Sequence, residues 1–117
     1  MIKVASQCAH EKKARRPRLL DVAELTSYTR YLLLLSATSD RHARAMAEHI
    51  TRELRKQKSK PLGVEGMDSG QWVLLDFGEL IVHIFQEDSR DFYDLDGLWL
   101  DAKRLELAED EDPEPAP

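Results

Sequence analysis

The side chains best suited to chemistry in this chain of 117 residues are four histidines and one cysteine. A zinc site is most simply recognised from two histidines four residues apart on one helix, with further ligands nearby. His42 and His49 are seven residues apart and can share a helix side, but no acidic or thiol group completes a site with them. We therefore predict no metal site and no cofactor, and structural or solvated roles for His10, His42, His49 and His83.

Asp76 and His83 are a second candidate, because they come close together if their segments form a hairpin. Such a pair could act as acid and base, but hydrolytic chemistry also needs a nucleophile and a group that stabilises an oxyanion. The sequence offers neither beside this pair. We therefore predict that the protein has no catalytic residues and is not an enzyme.

Residues 36–39 lie before a predicted helix and resemble the phosphate-binding start of nucleotidyltransferases. Those enzymes also need two carboxylates, one residue apart on a following strand, to hold metal ions. Asp76 has no such partner, since Leu74 and Gly78 occupy the two positions where it would stand. The sequence also has no P-loop and no dinucleotide fingerprint. A nucleotide-handling enzyme therefore remains an alternative, although the pair of metal-binding carboxylates that it needs is absent.

Charge is divided unevenly along the chain. Residues 1–60 hold 14 Lys or Arg and 6 Asp or Glu, a net of +8, whereas residues 61–117 hold 3 and 16, a net of −13. A basic face suits nucleic acid, and an acidic face suits a basic protein partner. Two faces that neutralise each other within the fold are one alternative. Another is an RNA-binding module that uses Arg41, Arg44, Arg52, Arg55 and Lys56.

The length fits one domain, which we place at residues 1–107. Residues 108–117 are acidic and rich in proline, and we expect a disordered tail there because they cannot bury apolar surface. The longest apolar run, residues 32–35, is too short to cross a membrane, and the N-terminus has no apolar signal segment. We expect a cytoplasmic protein that contacts no membrane, with a transit peptide in the basic residues 1–18 as the alternative.

Hydrophobic patterning predicts an α/β fold, with a mixed β-sheet of about five strands flanked by helices. The main helix is capped by Ser39 and stopped before Pro61, and it covers one face of the sheet. A short helix lies in residues 1–13 and is ended by Pro17, and one or two helical turns lie in residues 89–105. The predicted strands are residues 19–25, 31–36, 64–65, 72–77 and 80–85.

The last two strands are joined by Gly78 and Glu79, which suit a two-residue type II′ hairpin turn. This turn pairs Trp72 with Phe85, and alternate side chains then lie on opposite faces. One face is wholly apolar and should form the core: Val73, Leu75, Phe77, Leu80, Val82 and Ile84. The other face has the mixed character of protein interfaces: Trp72, Leu74, Asp76, Ile81, His83 and Phe85. We expect the following segment, with Tyr93, Leu95, Leu98 and Trp99, to cover part of this mixed face and to leave a rim around Trp72 exposed.

Several short motifs follow one another between residues 19 and 102. They are Thr38-Ser-Asp-Arg-His42 leading into Ala45-Met-Ala47, Pro61-Leu-Gly-Val-Glu-Gly66, Trp72-Val-Leu-Leu-Asp-Phe-Gly78, Val82-His-Ile-Phe85, Arg90-Asp-Phe-Tyr-Asp-Leu95 and Leu98-Trp99. Their order and spacing resemble the ribosomal silencing factors, also called Iojap-like proteins. Two positions depart from the family pattern: Arg30 stands where an acid is usual, and Ala37 where glycine is usual.

The resemblance implies a fold similar to that of nucleotidyltransferases but without their catalytic carboxylates. It also implies binding to the large ribosomal subunit through ribosomal protein fourteen of that subunit, which blocks joining of the small subunit. Translation would then fall under nutrient limitation or in stationary phase. A peripheral contact with ribosomal RNA and a homodimer of the free protein stay open. We predict that the partner-binding residues are Trp72, Leu74, Asp76, Phe77, His83 and Tyr93.

Overall fold

Helices and strands alternate along residues 1–105, which are the part of the chain that the computed structural model describes. In chain order they are α1 (Ile2–Glu11), β1 (Arg15–Asp21), β2 (Tyr31–Ala37), α2 (Asp40–Lys56), β3 (Gly63–Glu65), β4 (Trp72–Asp76), β5 (Leu80–Gln86), α3 (Glu87–Tyr93), α4 (Leu95–Leu98) and β6 (Lys103–Leu105). The predicted disordered tail at residues 108–117 lies outside the described residues. No helix within residues 1–105 combines the length and the apolar character needed to cross a membrane.

The strands form one mixed sheet in the order β3-β4-β5-β2-β1-β6. The two central strands β2 and β5 are parallel, and every other neighbouring pair is antiparallel. The predicted α/β class is therefore confirmed, with six strands in the described part rather than about five. The extra strand, β6, lies where we predicted only helical turns. Its three residues carry too little pattern to reveal a strand, and pairing of Leu105 with Leu19 of β1 supplies the structure.

Helix α2 begins where the sequence places its start. The Ser39 side chain accepts a hydrogen bond of 3.0 Å from the backbone N–H of His42, which satisfies one of the free donors of the first turn. The apolar stripe of α2 is buried against the sheet: Ala43, Met46, Ala47, Ile50 and Leu54. Helix α1 packs beside α2 on the same face, so the main core lies between these two helices and the sheet.

The opposite face of the sheet carries a second, smaller core. Its buried members come from the three strands β1, β2 and β5 and from the residue after β1: Leu20, Val22, Leu32, Leu34 and Ile81. Leu95 and Trp99 of the C-terminal segment pack onto this group, whereas Leu98 is 70% exposed. This segment therefore covers part of the mixed face, as we predicted.

Strand β1 differs from its prediction. We expected residues 19–25, but the strand runs over Arg15–Asp21 and includes Pro17. Its pairing with β2 is irregular between Arg15 and Arg18, and Arg16 has a positive φ of 50°. A bulge of this kind tolerates a proline because the missing N–H is not needed for a regular ladder. The helix-ending role that we gave to Pro17 is wrong, since α1 has already ended at Glu11.

The two departures from the family pattern are accommodated locally. Arg30 forms an ion pair of 3.8 Å with Asp21 and lies over the ring of Tyr31, 5.0 Å from its centroid. Ala37 is fully buried at the end of β2. Arg30 precedes β2 between Thr29 and Tyr31, which both bond to the hairpin turn, and the β4–β5 pairing is regular.

The β4–β5 hairpin has the predicted register. Trp72 pairs with Phe85, and Leu74 pairs with His83. The side chains that we assigned to the core face are all buried in the main core. The mixed face is therefore also placed correctly on the opposite side of the two strands.

The hairpin turn is held from both sides. Gly78 has a φ of +89°, a conformation that costs glycine little, and the N–H of Glu79 donates to the carbonyl of Phe77 at 3.2 Å. The N–H of Gly78 donates to Oδ1 of Asp76 at 2.8 Å, and the carbonyl of Gly78 accepts from the Thr29 hydroxyl at 2.9 Å. Asp76 thus has a structural task at this turn.

Candidate partner-binding site

An aromatic cluster occupies the end of the mixed face where β4 begins and β5 ends. The ring of Trp72 lies 4.9 Å from that of Phe85 and 4.6 Å from that of Tyr93, measured between centroids. The ring of His83 is 5.9 Å from Trp72 and stacks on Phe85 at 6.0 Å. We call Trp72, His83, Phe85 and Tyr93 the aromatic cluster. Strand pairing brings three of these rings together, and α3 supplies the fourth.

A hydrogen bond fixes the relative orientation of two rings in the cluster. Nε1–H of Trp72 donates to Nδ1 of His83 at 3.0 Å. Burial lowers the pKa of His83 to about 4, so its ring is neutral at physiological pH and keeps this acceptor. The Trp72 indole, which is partly buried, is therefore held in one orientation before any partner arrives.

The loop before Trp72 is also closely fitted. Gly66 has a φ of +86°, and a Cβ there would collide with the carbonyl oxygen of Trp72. The carbonyl of Gly66 accepts from the N–H of Gly70 at 2.9 Å, and the Gln86 side chain donates to the carbonyl of Gly70 at 3.1 Å. These contacts connect the start of β4 to the end of β5 and determine where the cluster stands.

Phe92 and Tyr93 form an exposed apolar rim on the aromatic cluster. Tyr93 is 51% exposed, and its neighbour Phe92 is 80% exposed and meets the Tyr93 ring edge-on at 5.0 Å. Further along the same segment, Leu98 and Leu100 are 70% and 78% exposed. Large apolar side chains that stay in water beside ordered aromatic rings are typical of protein-binding surfaces. Phe92 and Leu100 were not among the predicted binding residues, because only their exposure in the fold distinguishes them.

The structure does not bring all predicted binding residues to this surface. Leu74 is partly buried under the C-terminal segment, and His83 is only 7% exposed beneath Trp72. Phe77 is 8% exposed and belongs to the main core on the other side of the sheet. Asp76 lies at the other end of β4, where its Oδ1 accepts a hydrogen bond from Gly78 in the hairpin turn. Of the predicted set, Trp72 and Tyr93 are therefore the best placed to meet a partner.

Arg90 of α3 holds the C-terminal segment against the sheet, and sequence reasoning gave it no role. It is 2% exposed, and its guanidinium makes two hydrogen bonds of 2.9 Å to the carboxylate of Asp96. Its Nη1 also donates to the hydroxyl of Ser36 at 2.9 Å and to the carbonyl of Arg16 at 2.6 Å. The pKa of Asp96 is lowered, mainly by its hydrogen bonds from Arg90 and also by the nearby positive charges. This buried ion pair covers the carboxyl end of β2 on the mixed face.

Ion pairs join the basic first half of the chain to its acidic second half. Arg16 contacts Glu87 at 3.3 Å and Asp91 at 3.1 Å, and Arg18 contacts Asp96 at 3.1 Å. Part of the charge asymmetry is thus neutralised within the fold, as one of our alternatives held. On α2, by contrast, Arg41, Arg52, Arg55 and Lys56 are exposed.

A group of potential metal ligands lies in the helical layer, on the other side of the sheet. Cys8 and Glu11 of α1 meet His49 of α2, and their ligand atoms are all within 4.8 Å of one another. We predicted no metal site because no acidic or thiol partner was apparent for His42 and His49, but in the fold α1 brings one group of each kind to His49. The signal that could have suggested the group is the spacing of three between Cys8 and Glu11, which places both on one face of a helix.

Comparison with known proteins gives one consistent family. The sequence model of the family described as "ribosomal silencing factor during starvation" matches residues 1–117. The chain is similar to the ribosomal silencing factor of Bacillus subtilis, with 31% identity over 107 residues that cover 92% of this chain and 91% of that protein. It is also similar to the mouse protein named "mitochondrial assembly of ribosomal large subunit protein 1", with 32% identity over 92 residues. That match covers 76% of this chain and 40% of the mouse protein.

A solved structure shares the fold. The crystal structure of a protein from Chromobacterium violaceum superimposes with a TM-score of 0.82 at 30% sequence identity. The superposition covers 91% of this chain and 88% of that protein. The arrangement of helices and strands described above therefore also occurs in an experimentally determined structure.

Proposed function

Because the chain belongs to the ribosomal silencing factor family, we propose that it binds the large ribosomal subunit and sterically blocks joining of the small subunit. The family's role is ribosome silencing, and the family description connects it with starvation. On this proposal the protein lowers translation when nutrients are limiting or in stationary phase. It acts in the cytoplasm, where the ribosomes that it silences are found.

The observation that carries the proposal is the exposed rim of the aromatic cluster. Phe92 and Tyr93 present large apolar surface to water at 80% and 51% exposure, next to a Trp72 that is already fixed in orientation. Ordered aromatic side chains lose little conformational entropy on binding, so such a surface binds a partner efficiently. The name of the mouse relative refers to the large ribosomal subunit, which supports that subunit as the partner.

The charge around the rim favours a basic protein as the direct contact. Asp88 and Asp94 are exposed on either side of Phe92 and Tyr93 in the sequence, whereas Asp91, also exposed, is paired with Arg16. Acidic groups around an apolar centre steer a basic partner towards the surface and disfavour the RNA backbone. We therefore propose that this surface binds ribosomal protein fourteen of the large subunit.

The opposite face suits a secondary contact with RNA. Arg52, Arg55 and Lys56 are exposed near the end of α2, on the helical side of the sheet. A protein docked through the aromatic rim could reach ribosomal RNA with these residues only at its periphery. Such a contact should weaken steeply as salt rises, because it depends on release of counterions from RNA.

Steric blocking needs no catalytic turnover. Docking at the face of the large subunit that the small subunit must contact is sufficient. The carboxyl end of β2, where residues 36–39 suggested a phosphate site, is covered on the mixed face by Arg90, whose guanidinium bonds to Ser36. A nucleotide-handling enzyme therefore remains the weaker alternative, and defined binding of nucleotide with magnesium would support it.

Co-sedimentation with isolated ribosomal subunits tests the proposal. The chain should pellet with large subunits and not with small ones, and a double variant Phe92→Ala, Tyr93→Ala should pellet much less. Tyr28→Ala is a matched control, because Tyr28 is 64% exposed but lies on the β1–β2 loop, at the opposite end of the central strands. Equal binding of the double variant and the wild type would remove the rim as the docking surface. Binding to small subunits alone would remove the proposed function.

A further inference from the structure

The two helices on the far side of the sheet bring together a thiol, a carboxylate and an imidazole. Cys8 and Glu11 lie one turn apart on α1, and His49 faces them from α2. One ligand atom from each residue lies within 4.8 Å of the other two. These three donor types are the ones that zinc selects in proteins.

We propose that Cys8, Glu11 and His49 form a zinc-binding site, with water as the fourth ligand. Ligands at about 2.0–2.3 Å around a tetrahedral ion stand roughly 3.5 Å from one another. The three groups therefore need only small side-chain movements to surround an ion.

The present contacts show how the ion would enter. His49 and Glu11 are joined by a hydrogen bond of 2.8 Å between Nε2 and Oε1, and their side chains are 16% and 50% exposed. Zinc would take the place of the hydrogen between these two atoms, which would then stand slightly further apart. His49 would bind through Nε2 and carry its one ring proton on Nδ1. Cys8 lies beneath them at 2% exposure, so its sulfur would close the inner side of the site.

Metal binding must remove the proton of the Cys8 thiol. The pKa of Cys8 is raised to about 11, mainly by burial and then by the negative charges of Glu11 and Glu53. The positive charge of Lys56 lowers it slightly in return. A zinc ion supplies the positive charge that stabilises the thiolate, and binding releases the proton to water.

The consequence for the fold is a metal clamp between α1 and α2. The site lies in the helical layer, whereas the aromatic cluster lies on the opposite face of the sheet. Loss of zinc should therefore loosen α1 without altering the rim around Trp72. Failure of this proposal leaves the proposed binding to the large subunit untouched.

Titration of the full chain with Co²⁺ under reducing conditions tests the site directly. A tetrahedral site with a thiolate gives a sulfur-to-cobalt charge-transfer band and intense visible bands, which should reach saturation at one equivalent and disappear when Zn²⁺ is added. Cys8→Ser should abolish the charge-transfer band, and His49→Gln or Glu11→Gln should weaken Zn²⁺ binding by at least about tenfold. His10→Gln is the control, because His10 is an exposed histidine on α1 outside the group, and it should bind like the wild type.

Thermal unfolding gives a second readout. At a hundredfold excess of Zn²⁺ over its Kd, the Tm of the wild type should rise by roughly 10 °C, and that of His49→Gln should not. The proposal is overturned if the wild type shows no saturable band at one equivalent of Co²⁺. It is also overturned if Cys8→Ser keeps full zinc affinity, or if His10→Gln loses it.

Discussion

The indole N–H of Trp72 and Nδ1 of His83 form a hydrogen bond of 3.0 Å across neighbouring strands. Because Trp72 can only donate, His83 must accept through Nδ1, and its single ring proton lies on Nε2. The bond exists only while His83 is neutral. The orientation of the Trp72 indole in the candidate site therefore depends on a buried histidine that resists protonation.

The pH dependence of stability should reveal this histidine. The pKa of His83 is lowered from 6.5 to about 4 by burial, so between these values the unfolded chain binds a proton that the folded chain does not. This contribution to stability is complete above pH 6.5, is lost progressively as pH falls, and stops changing below about pH 4. The total loss should be about 3 kcal/mol. Urea unfolding at several pH values measures it.

His83→Gln is the matched variant, because its amide oxygen can still accept from Trp72 but cannot titrate. The difference in unfolding free energy between wild type and variant should shrink between pH 6.5 and pH 4. If both proteins lose stability in parallel over this range, then His83 is not the responsible group.

Trp72→Ala should weaken binding to the large subunit while the domain stays folded. A central tryptophan at an interface often contributes about 2 kcal/mol, which is roughly a thirtyfold loss of affinity. Co-sedimentation at varied subunit concentration measures the affinity. The variant should also lose some thermal stability, because three ring contacts disappear with the indole.

Trp72→Phe separates these two effects, since it retains an aromatic ring but not the N–H. It should keep most of the stability and recover part of the affinity. If Trp72→Ala abolishes the cooperative unfolding transition, then the indole belongs to the core rather than to a binding surface.

Arg90→Met should strongly destabilise the domain. Removing the guanidinium leaves the carboxylate of Asp96 and the hydroxyl of Ser36 without their main partner in a largely buried place. Breaking a buried ion pair in this way typically costs about 3–5 kcal/mol. Urea unfolding at neutral pH measures the change in the free energy of unfolding.

Arg18→Met is the control for Arg90, because Arg18 also contacts Asp96, at 3.1 Å, but its side chain is 33% exposed. An ion pair so close to solvent contributes about 1 kcal/mol or less. Similar losses for the two variants would show that the Arg90 pair is no more important than a surface ion pair.

Order of addition should reveal steric blocking. Added to free large subunits, the protein should reduce the formation of joined ribosomes in proportion to its occupancy. Added to joined ribosomes, it should act only at the rate at which they dissociate by themselves, because its docking surface is then covered. Light scattering follows the reaction. Splitting of joined ribosomes faster than their own dissociation would contradict the steric mechanism.

The sequence by itself determined the α/β class, the start of α2 at Ser39 and the register of the β4–β5 hairpin. These features depend on local signals: alternation of apolar residues, a capping serine, and a glycine at the turn. Because side chains alternate between the two faces of a strand, the turn at Gly78 and Glu79 fixes which residues of the hairpin lie on each face. The division of the hairpin into two faces therefore followed from residues that are neighbours in the chain.

The tertiary structure decided which parts of the mixed face stay exposed. His83 was predicted at the binding surface, but packing of other segments buries it, and the same packing leaves Phe92 exposed. Phe77 was also predicted to bind the partner, but it lies on the core face, where the hairpin register had already placed it. The bonds of Arg90 to the Ser36 hydroxyl and to the carbonyl of Arg16 likewise join residues that are far apart in sequence. The meeting of Cys8 with His49 depends on how α1 packs on α2. Exposure and long-range contacts are properties of the whole packed chain, so no local pattern of residue types could fix them.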